Sequence, residues 1–246
     1  SRLLAGGLAY DEVISPNASF AITDGFNRFC SANLAPAGQF GSGKGFVNSL
    51  YLAGEETSNG RFFALDPAAA KLYHVPAFGL GGWESGTTVD TGSAKTVAVM
   101  LFDDSSGTPN YLYLWVGSKD SSSTDFLARN GIASSSGSLY AWKASTIDNT
   151  AAGVAGVALN APIAGSWVSL GTGVQVAALP TAAALRTLAA NAGAMQFTRI
   201  EDGDVNPTTG KQVAFNTTGG SGKDLYGNVN IIDCLLYTSP SPRDGL

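Results

Sequence analysis

Histidine is almost absent from this chain of 246 residues, which contains one, His74. A Ser-His-Asp or Cys-His mechanism would depend on that residue alone, and a zinc site built from several histidines is excluded. His74 stands between Tyr73 and Val75, so we interpret it as an ordinary strand residue. Charged residues are also scarce, at 13%, and the net charge is −5. Since no basic stripe is present to neutralise phosphates, the composition argues against a nucleic-acid partner.

Long apolar runs and paired cysteines are lacking too. No apolar run approaches the length of a membrane-spanning helix, so no membrane span is expected. The stretch Cys234–Asp244 resembles the in-frame translation of a transposase-type sequencing adapter, and we assign residues 233–246 to an adapter-derived tail. Together with the missing initiator Met, this indicates a metagenomic fragment in which residues 1–232 are native. Without Cys234, Cys30 has no partner for an intrachain disulfide.

Glycine is abundant, with 31 residues, and turn-forming residues separate several short segments rich in β-branched and aromatic residues. The predicted strands are Leu50–Ala53, Arg61–Leu65, Lys71–Val75, Thr96–Phe102, Tyr111–Val116, Ser138–Trp142, Lys211–Asn216 and Gly227–Ile232. Thr96–Phe102 is nearly all apolar, which predicts burial on both faces. One helix is predicted over Ala182–Ala192, with Thr181 as N-cap and Gly193 at its end. The pattern predicts an all-β fold, an incomplete β-propeller with insertions and one short helix, with a β-sandwich as the alternative.

Carboxylates form the most informative set of polar residues. Several of them follow apolar or aromatic segments. They are Glu55, Glu56, Glu84, Asp103, Asp104, Glu201 and Asp202. Adjacent like charges at the ends of apolar strands are costly unless solvent or a cation neutralises them. Oxygen ligands from several segments are what Ca²⁺ requires, so metal binding is one hypothesis, and ordinary solvated turn residues are the alternative.

Four stretches of the chain together resemble the PhoX-type alkaline phosphatase family, exported bacterial β-propellers also described as a domain of unknown function. They are Asn27–Ala32, Leu52–Asp66, Trp83-Glu84 followed by Val97–Lys119, and Phe197–Gly210. The resemblance implies a mixed iron–calcium cluster in a central channel. Its ligands in the family are a cysteine with an adjacent glutamate, a second glutamate, an aspartate and a last glutamate.

The resemblance assigns candidate metal ligands by position. Glu55 corresponds to the first glutamate, with Glu56 as the alternative, and Glu84 corresponds to the second. Either Asp103 or Asp104 resembles the aspartate, and Glu201 resembles the last glutamate. Gly54 stands where the family has its ligating cysteine, so calcium is the expected cofactor and the thiolate-bound iron of the family is in question. Cys30 is not at that position, although it could approach it in space. No catalytic residue is assigned.

The implied activity is calcium-dependent hydrolysis of small phosphomonoesters by the full-length parent, in the periplasm or outside the cell. Two alternatives stay open. One is a non-catalytic, calcium-binding extracellular propeller, which Gly54 favours. The other is a lactonase- or phytase-like propeller hydrolase. The site assignment predicts that the carboxylates converge on one channel, and the sequence does not indicate an oligomeric state.

Overall fold

A computed structural model describes residues 10, 12–15, 25–106, 109–155, 157–158, 160–220 and 227–234. In this part of the chain strands dominate and the helices are short, which confirms the predicted all-β fold. The strands are β1 Glu12–Ile14, β2 Phe29–Ala35, β3 Leu50–Gly60, β4 Phe62–Asp66, β5 Lys71–His74, β6 Gly81–Val89, β7 Thr96–Asp103, β8 Leu112–Ser118, β9 Gly137–Ala144, β10 Gly165–Thr172, β11 Ile200–Val205, β12 Gln212–Thr217 and β13 Asn228–Asp233. The helices are α1 Phe126–Arg129, α2 Ala151–Ala155, α3 Gly173–Ala177 and α4 Ala182–Asn191, with a 3₁₀ turn at Pro76–Phe78.

The strands form two sheets. A ten-stranded sheet has the order β1-β5-β4-β3-β6-β7-β8-β9-β10, and β2 also pairs with β3. A three-stranded sheet has the order β11-β12-β13. Neighbouring strands are antiparallel except β1 and β5, which are parallel. Neither sheet closes on itself among the described residues, as expected for a partial propeller.

Strand β3 connects the two parts of the large sheet. Its first residues pair with β2 on one side and β4 on the other. Its last residues pair with β6, where Glu56 lies opposite Gly82 and Gly60 opposite Gly81. Strand β3 therefore passes from the β2 and β4 pairing to the β6 pairing between Gly54 and Gly60, and we call this segment and the facing residues of β6 the crossing.

Strand β7 separates two hydrophobic cores. Val97, Val99 and Leu101 pack in the first core, while the alternate residues Met100 and Phe102 pack in the second. Side chains of a strand point alternately to opposite faces, so both faces of β7 are covered. This confirms the burial on both faces that its apolar sequence predicts.

All eight predicted segments lie in or overlap strands, but β1, β2, β6, β10 and β11 were not predicted. Strand β6 contains three glycines, and β11 contains three carboxylates. Glycine and acidic residues are depleted in strands, so intrinsic preference argues against both elements. Every residue of β6 is nonetheless buried, which indicates that packing between neighbouring strands stabilises it.

The predicted helix is confirmed as α4. The Thr181 side chain accepts a hydrogen bond from the backbone N–H of Ala184 at 3.2 Å, and Gly193 follows the helix with φ +72°. Leu185 and Ala189 are buried on its inner face. Three further helices of four or five residues were not predicted. No described helix is long and apolar enough to cross a membrane.

Residues 235–246 of the assigned adapter tail lie outside the described part of the chain. Of its other two residues, Asp233 ends β13 and Cys234 is fully buried in the second core. The assignment of residues 233–246 to an artefact stays a prediction.

His74 generates a prediction for the pH dependence of stability. It is 4% exposed, and burial, with a smaller effect of the Arg61 charge, lowers its pKa from 6.5 to about 4. The unfolded chain therefore takes up this proton first, and stability is lost as the pH falls from about 6.5 towards about 4. We expect His74 to contribute a loss of about 2 kcal/mol in unfolding free energy between about pH 7 and about pH 5.

Urea denaturation at both pH values measures this contribution. The variant His74→Leu serves as the reference, because it retains all carboxylates, whose own titration is then common to both proteins. An equal pH dependence in the two proteins would show that His74 contributes nothing.

Candidate metal centre

Five potential ligands converge where β3 crosses to β6. Each comes from a different part of the fold: β2, β3, β6, the residue after β7, and β11. They are Cys30, Glu56, Glu84, Asp104 and Glu201. Strand β11 belongs to the small sheet but packs against β6, which brings its carboxylate to the crossing. The centre therefore depends on both sheets.

Irregularities in strand pairing occur at four of these ligands. The register of β2 against β3 shifts between Phe29 and Ala32, around Cys30. The register of β6 against β7 shifts between Trp83 and Ser85, so Glu84 is the extra residue. Similar shifts begin at Glu56 in β3 and enclose Glu201 in β11. A β-bulge redirects a side chain out of the regular alternation, and here the shifts direct side chains from four strands to one place.

The ligands form two groups that share Glu84. In the first group, one ligand atom each from Cys30, Glu56 and Glu84 lies within 4.8 Å of the others. In the second group, one oxygen each from Glu84, Asp104 and Glu201 lies within 4.8 Å of the others. Such spacing suits side chains that bind common cations, and four carboxylates supply hard oxygen ligands.

The two carboxylates at the centre of the cluster are buried, and each has one oxygen atom without a hydrogen-bond partner among the described residues. Glu56 is 8% exposed and Glu84 is 4% exposed. Their Oε2 atoms are buried, with no hydrogen-bond partner among the described residues. A buried, unpartnered carboxylate oxygen is costly, so these two atoms mark a place where a positive charge would be stabilised.

The pKa values at the cluster rise because its negative charges crowd together out of water. Burial raises the pKa of Glu84 to about 7, and the charges of Glu56, Glu201 and Asp104 add to this. Burial also raises the pKa of Glu201, although a hydrogen bond from Thr218 opposes the effect. The metal-free protein therefore holds a proton on Glu84 up to about neutral pH.

Close packing at the crossing requires glycine. A Cβ atom at Gly54 would overlap the Cβ and the carbonyl oxygen of Trp83. A Cβ at Gly60 would overlap the carbonyl oxygen of Glu55, and one at Gly82 would overlap the carbonyl oxygen of Asp104. Gly54 therefore lets β3 approach Trp83 of β6, Gly60 lets β3 pack closely beside Glu55, and Gly82 lets β6 approach the backbone of Asp104.

Two of the sequence-predicted ligands face arginines instead of the cluster. Both oxygens of Glu55 accept hydrogen bonds from the Arg61 guanidinium. Both oxygens of Asp103 accept hydrogen bonds from Arg186, at 2.9 and 2.6 Å, and one also accepts from the backbone N–H of Gly82. The structure therefore brings Glu56 and Asp104 into the cluster where the sequence left a choice, and it places Glu55 and Asp103 in ion pairs beside it.

Two other arginines, which were not predicted from the sequence, border the cluster. Arg199 donates to both oxygens of Asp104, at 3.2 and 3.0 Å, and lies 3.2 Å from Glu201. Arg28 lies 2.9 Å from Glu56, and its side chain is 63% exposed. Both arginines have φ +55°, an uncommon conformation for a residue other than glycine. That shared backbone strain at one site is typical of functional positions.

Cys30 is not among the ligands predicted from the sequence, although the structure places its sulfur in the first group. Its strand β2 was not predicted, so its proximity to β3 was not evident. The usable signal was the family-like stretch Asn27–Ala32, which contains this cysteine.

The fold and the cluster define an all-β protein with a candidate metal centre at a strand crossing. A family model described as "Alkaline phosphatase PhoX" matches residues 23–239. The chain therefore belongs to the PhoX alkaline phosphatase family, as its motifs predicted.

Comparison with solved structures finds "Pseudomonas fluorescens PhoX in complex with vanadate, a transition state analogue", at 19% sequence identity and a TM-score of 0.46. The match covers 68% of this chain and 29% of the Pseudomonas chain. The chain therefore spans less than a third of that protein. No curated protein matches the chain.

The packing at Gly54 generates a prediction for stability. Gly54→Ala places a methyl group against Trp83, and we expect a loss of about 1–3 kcal/mol in unfolding free energy, as for overpacked cores. Ser58→Ala, at an exposed position on the same strand, is the control, with an expected change within about 0.5 kcal/mol. Urea denaturation measures both, and a Gly54→Ala protein as stable as the control would contradict the close approach.

The raised pKa of Glu84 generates a second prediction. Because its folded pKa of about 7 exceeds the ordinary 4.5, its contribution to metal-free stability is lost as the pH rises from about 4.5 through about 7. Glu84→Gln removes that charge, so in the presence of chelator we expect the variant to be more stable than wild type above about pH 7, by roughly 1–2 kcal/mol after solvent screening.

The matched control is Glu12→Gln, because Glu12 is exposed and forms only a surface pair with Lys71. Thermal unfolding at high and low pH gives the comparison. A Glu84→Gln protein less stable than wild type at high pH would refute the proposed repulsion.

Proposed function

We propose that this chain carries the metal centre of a metal-dependent phosphomonoester hydrolase of the PhoX type. The observation that carries the proposal is that a buried carboxylate oxygen on each of Glu56 and Glu84 has no hydrogen-bond partner in the part of the chain that the structure describes. Both residues lie within a cluster that Cys30, Asp104 and Glu201 complete. Family membership supports the phosphatase assignment.

The negative charge of the cluster indicates that a cation must bind there before an anionic substrate can. Glu56, Glu84, Asp104 and Glu201 carry four negative charges when ionised, against which the described arginines at the rim, Arg28 and Arg199, set two positive charges. A phosphate dianion would be repelled by such a site. One Ca²⁺, which prefers carboxylate oxygens, would neutralise the remaining negative charge, and a second would make the site positive and permit phosphate to bind.

The two rim arginines are suited to hold the phosphoryl group. A guanidinium group recognises phosphate through paired N–H donors. Arg28 is exposed enough to exchange its pairing with Glu56 for a substrate oxygen, and Arg199 is 39% exposed. Once cations neutralise Glu56 and Asp104, the arginines lose part of the attraction that holds them to these carboxylates.

The positions of these residues suggest a separate role for each. Glu56, Glu84, Asp104 and Glu201 would hold the cations, and Arg28 and Arg199 would orient the phosphoryl oxygens. Bound cations would supply Lewis-acid stabilisation of the charge that develops on the phosphoryl group. Glu55 and Asp103 would keep Arg61 and Arg186 paired, which supports the strands that present the ligands. No residue is assigned as nucleophile, and a periplasmic or extracellular location forms part of the proposal.

Calcium binding tests the metal centre directly. We expect the metal-free chain to bind Ca²⁺ in isothermal titration calorimetry, and Glu84→Ala to weaken binding by more than about tenfold, since even outer-sphere changes cost that much. Glu12→Gln is the control and should bind like wild type, because Glu12 lies in a surface pair outside the cluster. Equal affinity of wild type and Glu84→Ala would refute the site.

Hydrolysis of a chromogenic phosphomonoester tests the activity. We expect turnover that a chelator abolishes and Ca²⁺ restores, in a full-length protein that contains this chain or its counterpart. Calcium binding without turnover would favour the non-catalytic calcium-binding propeller. Turnover of a lactone or of phytate alone would favour the other hydrolases.

A further inference from the structure

We propose that Asn110 is a positioning residue for phosphate binding, because its side-chain amide holds the backbone of Arg199 in the conformation that directs the guanidinium group to the rim of the cluster. The inference rests on the proposed function, in which Arg199 orients phosphoryl oxygens, and it adds a residue outside the cluster. Asn110 is fully buried and lies two residues before β8. It would act through Arg199 and would not contact the substrate itself.

The backbone of Asn110 joins two separate parts of the fold. Its N–H donates to the carbonyl oxygen of Phe197 at 3.4 Å, and its carbonyl oxygen accepts from the N–H of Phe197 at 2.9 Å. This antiparallel bridge connects the segment between β7 and β8 to the segment that enters β11. The Asn110 side chain is thereby fixed beside Arg199, which lies two residues after Phe197.

The side-chain amide of Asn110 forms a hydrogen bond at each of its two ends. Its Oδ1 atom accepts from the backbone N–H of Arg199 at 2.8 Å, and its Nδ2 atom donates to the carbonyl oxygen of Ser105 at 3.3 Å. The opposite orientation of the amide would place one donor against another, so these partners define its orientation. Ser105 directly follows Asp104, the ion-pair partner of Arg199. One amide therefore holds the backbone on both sides of that ion pair.

Arg199 needs this support because its backbone is strained. Its φ of +55° lies in the left-handed region, which is disfavoured for a residue with a side chain. Such a conformation persists only where the surrounding structure imposes it. Both polar groups of the Arg199 backbone are held, the N–H by Asn110 and the carbonyl oxygen by the N–H of Thr218 at 3.0 Å. Asn110 therefore supplies one of the two bonds that impose the conformation.

The backbone conformation of Arg199 determines where its guanidinium group lies. The Nη2 atom is 3.0 Å from Asp104 and 3.2 Å from Glu201, and the side chain stays 39% exposed, within reach of an anion. Without the Asn110 oxygen, the N–H of Arg199 loses its acceptor and the backbone is released towards the extended conformations that most residues favour. The guanidinium group would then leave the rim of the cluster.

Binding of inorganic phosphate to the calcium-saturated 246-residue chain tests the proposal by isothermal titration calorimetry. We expect Asn110→Ala and Arg199→Ala each to weaken phosphate binding by about tenfold, as the loss of one hydrogen bond to a charged group does. Because Asn110 acts through Arg199, addition of Asn110→Ala to the Arg199→Ala protein should change the affinity by less than about twofold. Equal effects of Asn110→Ala with and without the arginine would overturn the positioning role.

Asn130→Ala is the matched control. Asn130 is also fully buried, and its side chain likewise bonds to the backbone, with Oδ1 accepting from the N–H groups of Val47 and Asn48 and Nδ2 donating to the carbonyl oxygen of Phe126. We expect this variant to lose stability as Asn110→Ala does but to bind phosphate within about twofold of wild type. An equal loss of phosphate affinity in both variants would show that Asn110 has a structural role alone.

Amide hydrogen exchange on the unmodified chain tests the key bond even where Asn110→Ala does not fold. We expect the Arg199 amide to exchange at least about tenfold more slowly than in the unfolded chain, because the hydrogen bond to Asn110 protects it. Exchange at the unfolded rate would overturn the inference.

The calcium and phosphate titrations together separate this inference from the proposed function. Phosphate binding that Asn110→Ala leaves unchanged overturns the positioning role and leaves the proposed function standing. Wild type that binds Ca²⁺ but no phosphate overturns the positioning role and the role of the rim arginines, while the metal centre stands. Wild type that binds neither overturns both proposals.

Discussion

The close crossing of β3 and β6 is the contact on which the rest of the candidate site depends. A Cβ atom at Gly54 of β3 would overlap Trp83 of β6, and one at Gly60 or Gly82 would overlap the carbonyl oxygen of Glu55 or Asp104. Because β3 pairs with β2 and β4 before the crossing and with β6 after it, one strand holds both parts of the large sheet in a fixed relation. The carboxylates of Glu56 and Glu84 meet at this point.

Arginine pairing distinguishes the surroundings of acids that have a similar sequence context. Glu55 and Glu56 are adjacent in β3, and alternation along the strand directs them to opposite sides. Glu55 meets the half-buried Arg61, while Glu56 meets the exposed Arg28 and the cluster. Asp103 similarly pairs with Arg186. A buried ion pair with both partners satisfied is structural, whereas a carboxylate with an unpartnered oxygen retains the capacity to bind a cation.

The sequence predicted much of the regular architecture because its signals are local. Thr96–Phe102 is apolar over its whole length, and β7 is buried on both faces. Thr181 and Gly193 bound α4 as their helix-terminal preferences predict. By contrast, β6 and β11 contain glycines and acids that favour turns, and they are strands because neighbouring strands cover them. These unpredicted strands carry Glu84 and Glu201.

The sequence by itself determined the all-β class, the family through its ordered motifs, and the six carboxylates among which the ligands were sought. Only the tertiary structure places Glu56 and Asp104, and not Glu55 and Asp103, in the cluster, because that placement depends on which way each side chain points and which arginine it reaches. It also brought Cys30 beside the position of Gly54. Side-chain direction at a shifted register and the distance between strands are properties of packing, and no local pattern in the sequence encodes them.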